Sequence, residues 1–590
     1  MTFQLRNIRD IPNIVDAKLL YYHSYYQNLS NKYNLNLFRM RIKSIFAVLL
    51  AIATMASCSD NVEGEGPDPG TDPSGTAYMS LSVTYPDLRS RAAAGTSDED
   101  DGDPKESVID EFYVLTFNSG KALIKHSTAD KFFVKITGST SGGALKVNPA
   151  TTYLLVVANP GAKFEDRLVN GLSDGMTYDA FNAVIDVPFD ADTQTPDILV
   201  KEIMGDVDAG GIGTSFTMIN VGTYDETQVG SEWPADGLLD VSAKLKKVVT
   251  TVSDPDKEFT SDDAAKQAAS KDKAVLKIER LAAKMVVKST NPTVEPVDKG
   301  ATFSFGGWLL DYRNSKYFPY AVKSHITAVH TDDFYANNFY TEDPNYSSPD
   351  HTTGIILNKA DDTKSVPADG LWKGNSGIDY CIENTMAAEM QKFGAATRVV
   401  IKGTYTPTNT FTAGVHWFYF DGVNYNLTSL KQAYAAAVLK ADAATPSEKL
   451  FIAASDKFLE IVKAKNNEIT TIADLEASHL NTDKIANGGE LTKLKDCLWW
   501  YQNGLNYYIY EIRHDNTTDL PNMAFGKYGV VRNNWYNLNL TKVRGKGTPW
   551  YPGDGPDDPD PGEDIDQDSA YLDFEIQVGP WVFWETDFEI

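Results

Sequence analysis

"AYMSLSVTYP", residues 77–86, places apolar Ala77, Met79, Leu81, Val83 and Tyr85 on one side of an alternation and Ser80, Ser82 and Thr84 on the other. A period of two is the signature of a half-buried β-strand. Pro86 then removes a backbone donor and stops it. The flanks are of another kind. "NVEGEGPDPGTDPSG" (61–75) is Gly, Pro and acid, the composition of a flexible tether. "DLRSRAAAGTSDEDDGDPKES" (87–107) carries Arg89 and Arg91 ahead of an acidic block and reads as disordered. The strand is thus isolated between two unstructured stretches, the second of which offers two sites to a trypsin-like protease.

Strand patterns resume at 109–117, 131–136, 151–159, 241–250 and 274–289. "NPTVEPVDKG" (291–300) is a Pro-containing break, so an N-terminal domain is expected over 92–290 and a second over 291–551. Within the second, strands at 301–312, 398–406 and 414–427 give way to two Ala-rich segments with helical periodicity, 429–444 and 447–465, with Ser447 a candidate cap. The expectation there is a helical insertion over 428–482. Strands return at 505–514 and 536–543. Many short alternating runs, with 11% aromatic residues and 30 tyrosines, favour an all-β dominated fold.

The chain has 590 residues, enough for two to four domains. A net charge of -27 repels phosphate, which argues against a nucleic-acid partner. Mean hydropathy is -0.32, and no apolar run reaches the roughly 20 residues of a spanning helix. One greasy run, Ile45 to Ala56, has only Thr54 polar and follows Arg39, Arg41 and Lys43. It has the length and charge pattern of an export signal. "MASC" (55–58) is similar to a bacterial lipobox in which Cys58 receives lipid, with Met where Leu is usual. An ordinary signal peptide cut near Ala56 is the other reading. Met40 fits as the start, with residues 1–39 an upstream over-extension and 40–57 the signal; an unusually long charged region is the alternative. Residues 58–91 then form a tether plus a removable strand.

The C-terminal end mirrors the first strand. Residues 552–569 hold eight acids and no base and read as an extended acidic linker. Beyond it, 570–590 is strongly patterned. After a Gly-Pro break, Val582, Trp584, Thr586, Phe588 and Ile590 alternate with other residues, matching in spacing the five apolar positions of 77–85. A cut at Arg91 or Arg89 would free the first strand and open a groove that the tail of another copy fits. Burying five such side chains is worth roughly 8–15 kcal/mol before ordering costs. The plainer reading has the first strand remain in its sheet and the last fold back on its own domain.

"YCIENT" (380–385), "NYYIYEIRHDN" (506–516), "FGKYGVVRNNWYNLNLTKVRGKG" (525–547), the ending "VGPWVFWETDFEI" and, more loosely, "ERLAAK" (279–284) resemble the fimbrillin family of Bacteroidales surface pili, most of all the shaft subunits of the minor fimbrium of Porphyromonas. The resemblance spans residues 77–590. It implies two transthyretin-like β-sandwich domains, export as a lipoprotein anchored in the outer membrane through Cys58, and cleavage by an Arg-specific surface protease after Arg91 or Arg89. It further implies polymerisation with copies of itself and other fimbrial subunits into an extracellular fimbrium that supports adhesion and biofilm formation. The helical insertion has no match in that pattern.

No motif of a hydrolase, phosphate-binding loop, zinc site or redox pair appears, and neither catalytic residues nor cofactors nor metals are expected. His325 and His330 are five apart, a poor spacing for a helical metal site. The acidic runs lack the ordered ligands of a calcium loop. Cys381 and Cys497 could pair in an oxidising compartment, which spacing alone does not decide. Trp499, Trp500, Tyr501, Tyr507, Tyr508 and Tyr510 fit either a core strand or a sugar-stacking surface. A tip or accessory adhesin, or a glycan-binding surface lipoprotein, is therefore the alternative function.

Overall fold

The alternation at 76–84 is split between two sheets. In a computed structural model, β1 (Thr76–Met79) and β2 (Leu81–Thr84) flank Ser80, where the chain crosses over. The structure describes residues 75–84, 102–126, 131–137, 143–187, 202–208, 210–221, 236–294, 300–323, 340–347, 355–356, 367, 369–408, 410–480, 498–515, 520–552, 562–567, 572–580 and 588–589. Ser80 is what makes the crossing: its carbonyl accepts from the Ala274 amide at 2.8 Å, tying the switch to the strand that β2 joins.

Further along lie β3 (Glu111–Phe117), β4 (Leu145–Val147), β5 (Tyr153–Ala158), β6 (Met218–Asn220), β7 (Lys246–Val248) and β8 (Glu258–Phe259). Helix α1 (Asp262–Lys271) and β9 (Ala274–Arg280) come next. One sheet has the order β8-β7-β1-β4, and a second runs from β2 through β9, β6 and β5 to β3. Ala77, Met79 and Leu81 meet Val114, Leu155, Val157, Leu276 and Ile278 in one core between the two sheets, the geometry of a sandwich.

The second half repeats the plan with β10 (Ala282–Val294), β11 (Thr302–Asp311), β12 (Ile378–Ile382), β13 (Arg398–Thr406), β14 (Leu505–Glu511), β15 (Asn534–Val543) and β16 (Leu572–Pro580). Sheets β12-β10-β15-β16 and β11-β13-β14 enclose Met285, Val287, Trp308, Val399, Ile401, Tyr508, Leu538 and Leu540. The fold is all-β dominated, as the sequence indicates. The change of sheet, however, falls at Leu281, between β9 and β10. The expected boundary at 290–291 lies inside β10, because 274–289 is two strands of different sheets rather than one.

The insertion contains helices α2 (Leu427–Leu439) and α3 (Pro446–Lys465). They pack on a three-stranded sheet formed by Trp417–Phe420, Val423–Asn426 and Trp499–Tyr501, around Phe418, Phe451, Phe458 and Trp500. The cap of α3 is Thr445, not Ser447. Thr445 and Glu448 exchange hydrogen bonds as a capping box with Pro446 in the first turn, and Ser447 donates to Asp421 at 3.0 Å.

Two acidic stretches are more structured than their composition suggests. Pro104–Ser107 is a 3₁₀ turn whose Glu106 is fully buried. Its carboxylate accepts from Lys284 Nζ at 3.0 Å and from the Tyr380 hydroxyl at 2.6 Å, on strands β10 and β12. In the expected linker, Ile565 is buried beside Phe393 and Tyr528, and Asp566 accepts from Lys527, Tyr528 and the Met523 amide. Burial alone would raise the Asp566 carboxyl, but these donors hold it below its usual value. Residues 562–567 are therefore docked rather than solvated.

A buried imidazole gives this sandwich a definite acid response. Burial pushes His514 down to about 4, and its Nδ1 lies 2.8 Å from the Tyr536 hydroxyl. An unfolded histidine titrates near 6.5. Between these values the unfolded chain binds the proton first, so stability present above pH 6.5 is lost as pH falls towards 4. The loss is on the order of 2–3 kcal/mol. His514→Asn should flatten that part of the profile in urea titrations at pH 7 and pH 4.5; an unchanged slope would contradict this assignment.

Candidate functional site

β1 has no free edge. It is antiparallel to β7 through Thr76↔Val248, Ala77↔Lys247 and Tyr78↔Lys246. On its other side it is antiparallel to β4 through Ala77↔Val147, Tyr78↔Lys146 and Met79↔Leu145. β2 continues parallel to β9, with Leu81↔Ala274 and Val83↔Leu276. Ala77, Met79 and Leu81 are all 0% exposed. Three of the five apolar positions read from the alternation therefore face the core. Side-chain surroundings of Val83, and Tyr85 altogether, lie outside the described residues.

The other face is buried too, which the alternation did not reveal. Ser80 is fully buried and Tyr78 is 3% exposed beneath α1. The clue available in the sequence was "SDDAAKQAASK" (261–271). Its Ser261 caps a helix, and Ala265 and Ala269 stand one turn apart, on one face.

Fully burying Met79 and Leu81 is worth roughly 1.5–3 kcal/mol each, to which Tyr78, Ala77 and the two ladders add. A whole domain is stable by only about 5–15 kcal/mol. An empty groove between β4 and β7 is therefore untenable for long.

The C-terminal region is not one detachable unit. β16 is built into its own sheet, antiparallel to β15 from Asn534↔Pro580 to Val543↔Leu572, with a bulge between Leu540 and Lys542. The expected donor segment 570–590 is thus divided: Leu572–Pro580 belongs to the chain's own sheet, and 581–590 lies past it. Past Pro580 the backbone of β17 (Phe588–Glu589) pairs antiparallel with the outer edge of β2, as Ser82↔Glu589 and Val83↔Phe588. The strand read as removable and the tail read as a donor are neighbours within one chain. Val582, Trp584, Thr586 and Ile590 lie outside the described residues, as do Cys58, Arg89 and Arg91.

Other candidates behave as structure. Cys381 is buried with a free thiol that burial pushes up to about 12; Cys497 lies outside the described residues, as do His325 and His330. Trp500 is 1% exposed against Phe458, while Trp499 sits between Tyr419 and Trp550, and Lys546 Nζ lies 3.8 Å from the Tyr419 ring centroid. These rings are occupied by one another. In the 525–547 block, Asn533 is left-handed at φ 55 and Arg532 holds Glu383 and the carbonyls of Phe318 and Pro319. Among the described residues no group of three His, Cys, Asp or Glu side chains is placed to hold a metal ion. A cavity of about 340 Å³ beside Ala162–Asn170 is lined by Arg167, whose guanidinium is spent on the carbonyls of Phe181, Ala183 and Val184.

Two family profiles match the chain. "Major fimbrial subunit protein (FimA)" covers residues 77–200, beginning at the strand described above. "Major fimbrial subunit protein type IV, Fimbrillin, C-terminal" covers residues 500–587, ending in the tail. Neither separates shaft from other subunit types. No curated protein sequence matches. Among solved structures, a fimbrilin of Porphyromonas gingivalis is 12% identical with TM-score 0.34, covering 86% of this chain and 98% of its own. The tip fimbrial protein Mfa3 of the same organism, with a C-terminal truncation, is 11% identical with TM-score 0.28, covering 86% and 100%. A fimbrial assembly protein of Parabacteroides distasonis is 12% identical with TM-score 0.21, covering 57% and 86%. At such scores the likeness carries no argument of its own.

Proposed function

We propose that this chain, whose two halves each match a fimbrillin family profile, is a structural subunit of a cell-surface fimbrium of the Bacteroidales type polymerised by exchange of strands. Its work is mechanical rather than catalytic. Exported as a lipoprotein through Cys58, it is cut after Arg91 or Arg89 by an Arg-specific protease at the surface. Residues 76–84 then leave, and residues 581–590 of another copy enter the vacated groove.

One observation carries this reading. The strand just ahead of the two arginines is interior to one sheet and close to the edge of the next, and from Ala77 to Leu81 it is buried on both faces. Its loss opens a groove lined by unpaired backbone on both flanks of β1. The paired strand 76–84 has nine residues and the segment 581–590 has ten, so the two are close in length. Glu106 supports the cut position: its buried contacts to Lys284 and Tyr380 pin the chain 15 residues beyond Arg91, so the body keeps its hold on the new N-terminal segment.

The test is the intact mass and N-terminal sequence of protein sheared from cells. A chain beginning at Ala92 or Ser90 is expected. A chain beginning at Cys58 in intact fimbriae overturns the first step.

A further inference from the structure

We propose that the groove vacated by residues 76–84 contains an aromatic subsite beneath α1, and that Phe583 of the incoming copy fills it. The inference rests on the strand-exchange reading above and adds to it a second recognition face. Val582, Trp584, Thr586, Phe588 and Ile590 of the tail address the core; this subsite is on the opposite side of the strand.

Tyr78 occupies the subsite in the uncut chain. Its ring packs on Ala265 and Ala269, both 0% exposed, with Ala144, Val248 and Phe259 beside it. Lys266 Nζ lies 5.2 Å from the ring centroid, and burial together with the negative charge of Asp262 in the first turn of α1 raises the Tyr78 phenol above its ordinary value. Lys246 and Lys146 flank Tyr78 in register. When the strand leaves, every one of these groups except Tyr78 stays with the body. The space under two alanines then has the size of one ring and no occupant.

The tail carries Trp581, Phe583, Glu585, Asp587 and Glu589 on the face opposite Val582, Trp584, Thr586, Phe588 and Ile590. Direction decides which of them meets the subsite. β1 is antiparallel to both β4 and β7. A tail running the same way as the strand it replaces keeps both ladders antiparallel, whereas a reversed tail makes both parallel, which is less stable per residue. Setting Val582, Trp584, Thr586, Phe588 and Ile590 on positions 77, 79, 81, 83 and 85 then places Phe583 on position 78. The same register sets Glu585 on the buried position of Ser80, where a carboxylate is costly.

The experiment uses the full-length chain cut at the arginines and a fluorescent decapeptide of residues 581–590, with capture per subunit as the readout. Phe583→Ala is expected to be captured roughly 10- to 100-fold less tightly. Phe583→Tyr, which restores the ring that occupies this position in the uncut chain, should be captured at least as tightly as the unaltered peptide; clearly weaker capture overturns the subsite. Glu585→Ser is expected to tighten capture; equal or weaker capture overturns the register. If the unaltered peptide is captured and Phe583→Ala is captured equally well, the subsite is overturned and strand exchange stands. If the unaltered peptide is not captured at all, strand exchange itself fails, and the subsite with it.

Discussion

A chain shortened to end at Pro580 is expected to fold as a monomer and to form no polymer. The fold loses little by this deletion. β16 ends at Pro580 and keeps its whole ladder with β15, and the only described pairing beyond it is Phe588–Glu589 on the outer edge of β2. Backbone bonds are worth about 1 kcal/mol net each, so the monomer should lose no more than a few kcal/mol. Assembly loses everything: the deleted segment supplies all the side chains that would replace Ala77, Met79 and Leu81. Size-exclusion chromatography and electron microscopy of the cut, truncated protein should show monomers only, with a melting temperature within several degrees of the parent. Polymers of ordinary length from this variant would remove the tail from the account.

Replacing Arg89 and Arg91 together with Ala should be equally decisive. The two sites are two residues apart, so either one suffices to free 76–84, and single replacements should slow maturation rather than block it. In the double variant the strand stays covalently attached, at high effective concentration beside its own groove, and an incoming tail competes against it at a severe disadvantage. Polymer yield is expected to fall at least about 100-fold, with the protein accumulating on cells at its uncut mass. The cis pairing of β17 with β2 adds to this, since the tail keeps its own partner while β2 remains. Wild-type polymer yield from the double variant would mean that release of the first strand is not a required step.

Periodicity made the elements legible, and distance in sequence hid their connections. The alternation at 77–85 is plain, yet it continues unbroken through Ser80, so the crossing between sheets left no mark. Tyr78 falls on the outer side because alternation assumes one wet face, and α1 covers that face. The burial of Glu106 could not be read from an acidic neighbourhood, since Lys284 lies 178 residues away. Asp566 reads as one more linker acid until Lys527, 39 residues earlier, is seen beneath it. The "TPSE" run at 445–448 carries a capping box in plain view, with Thr445 and not Ser447 as its cap. The tail is recognisable as strand, but only its pairing with β15 shows that Leu572–Pro580 belongs to the chain's own sheet.

The most direct measurement is an electron cryomicroscopy map of the assembled polymer, read at the position between β4 and β7. The account predicts density there for residues 581–590 of the neighbouring copy, with residues 76–84 gone. Density for the chain's own Thr76–Met79 in that place, running on unbroken towards Arg89, would contradict it.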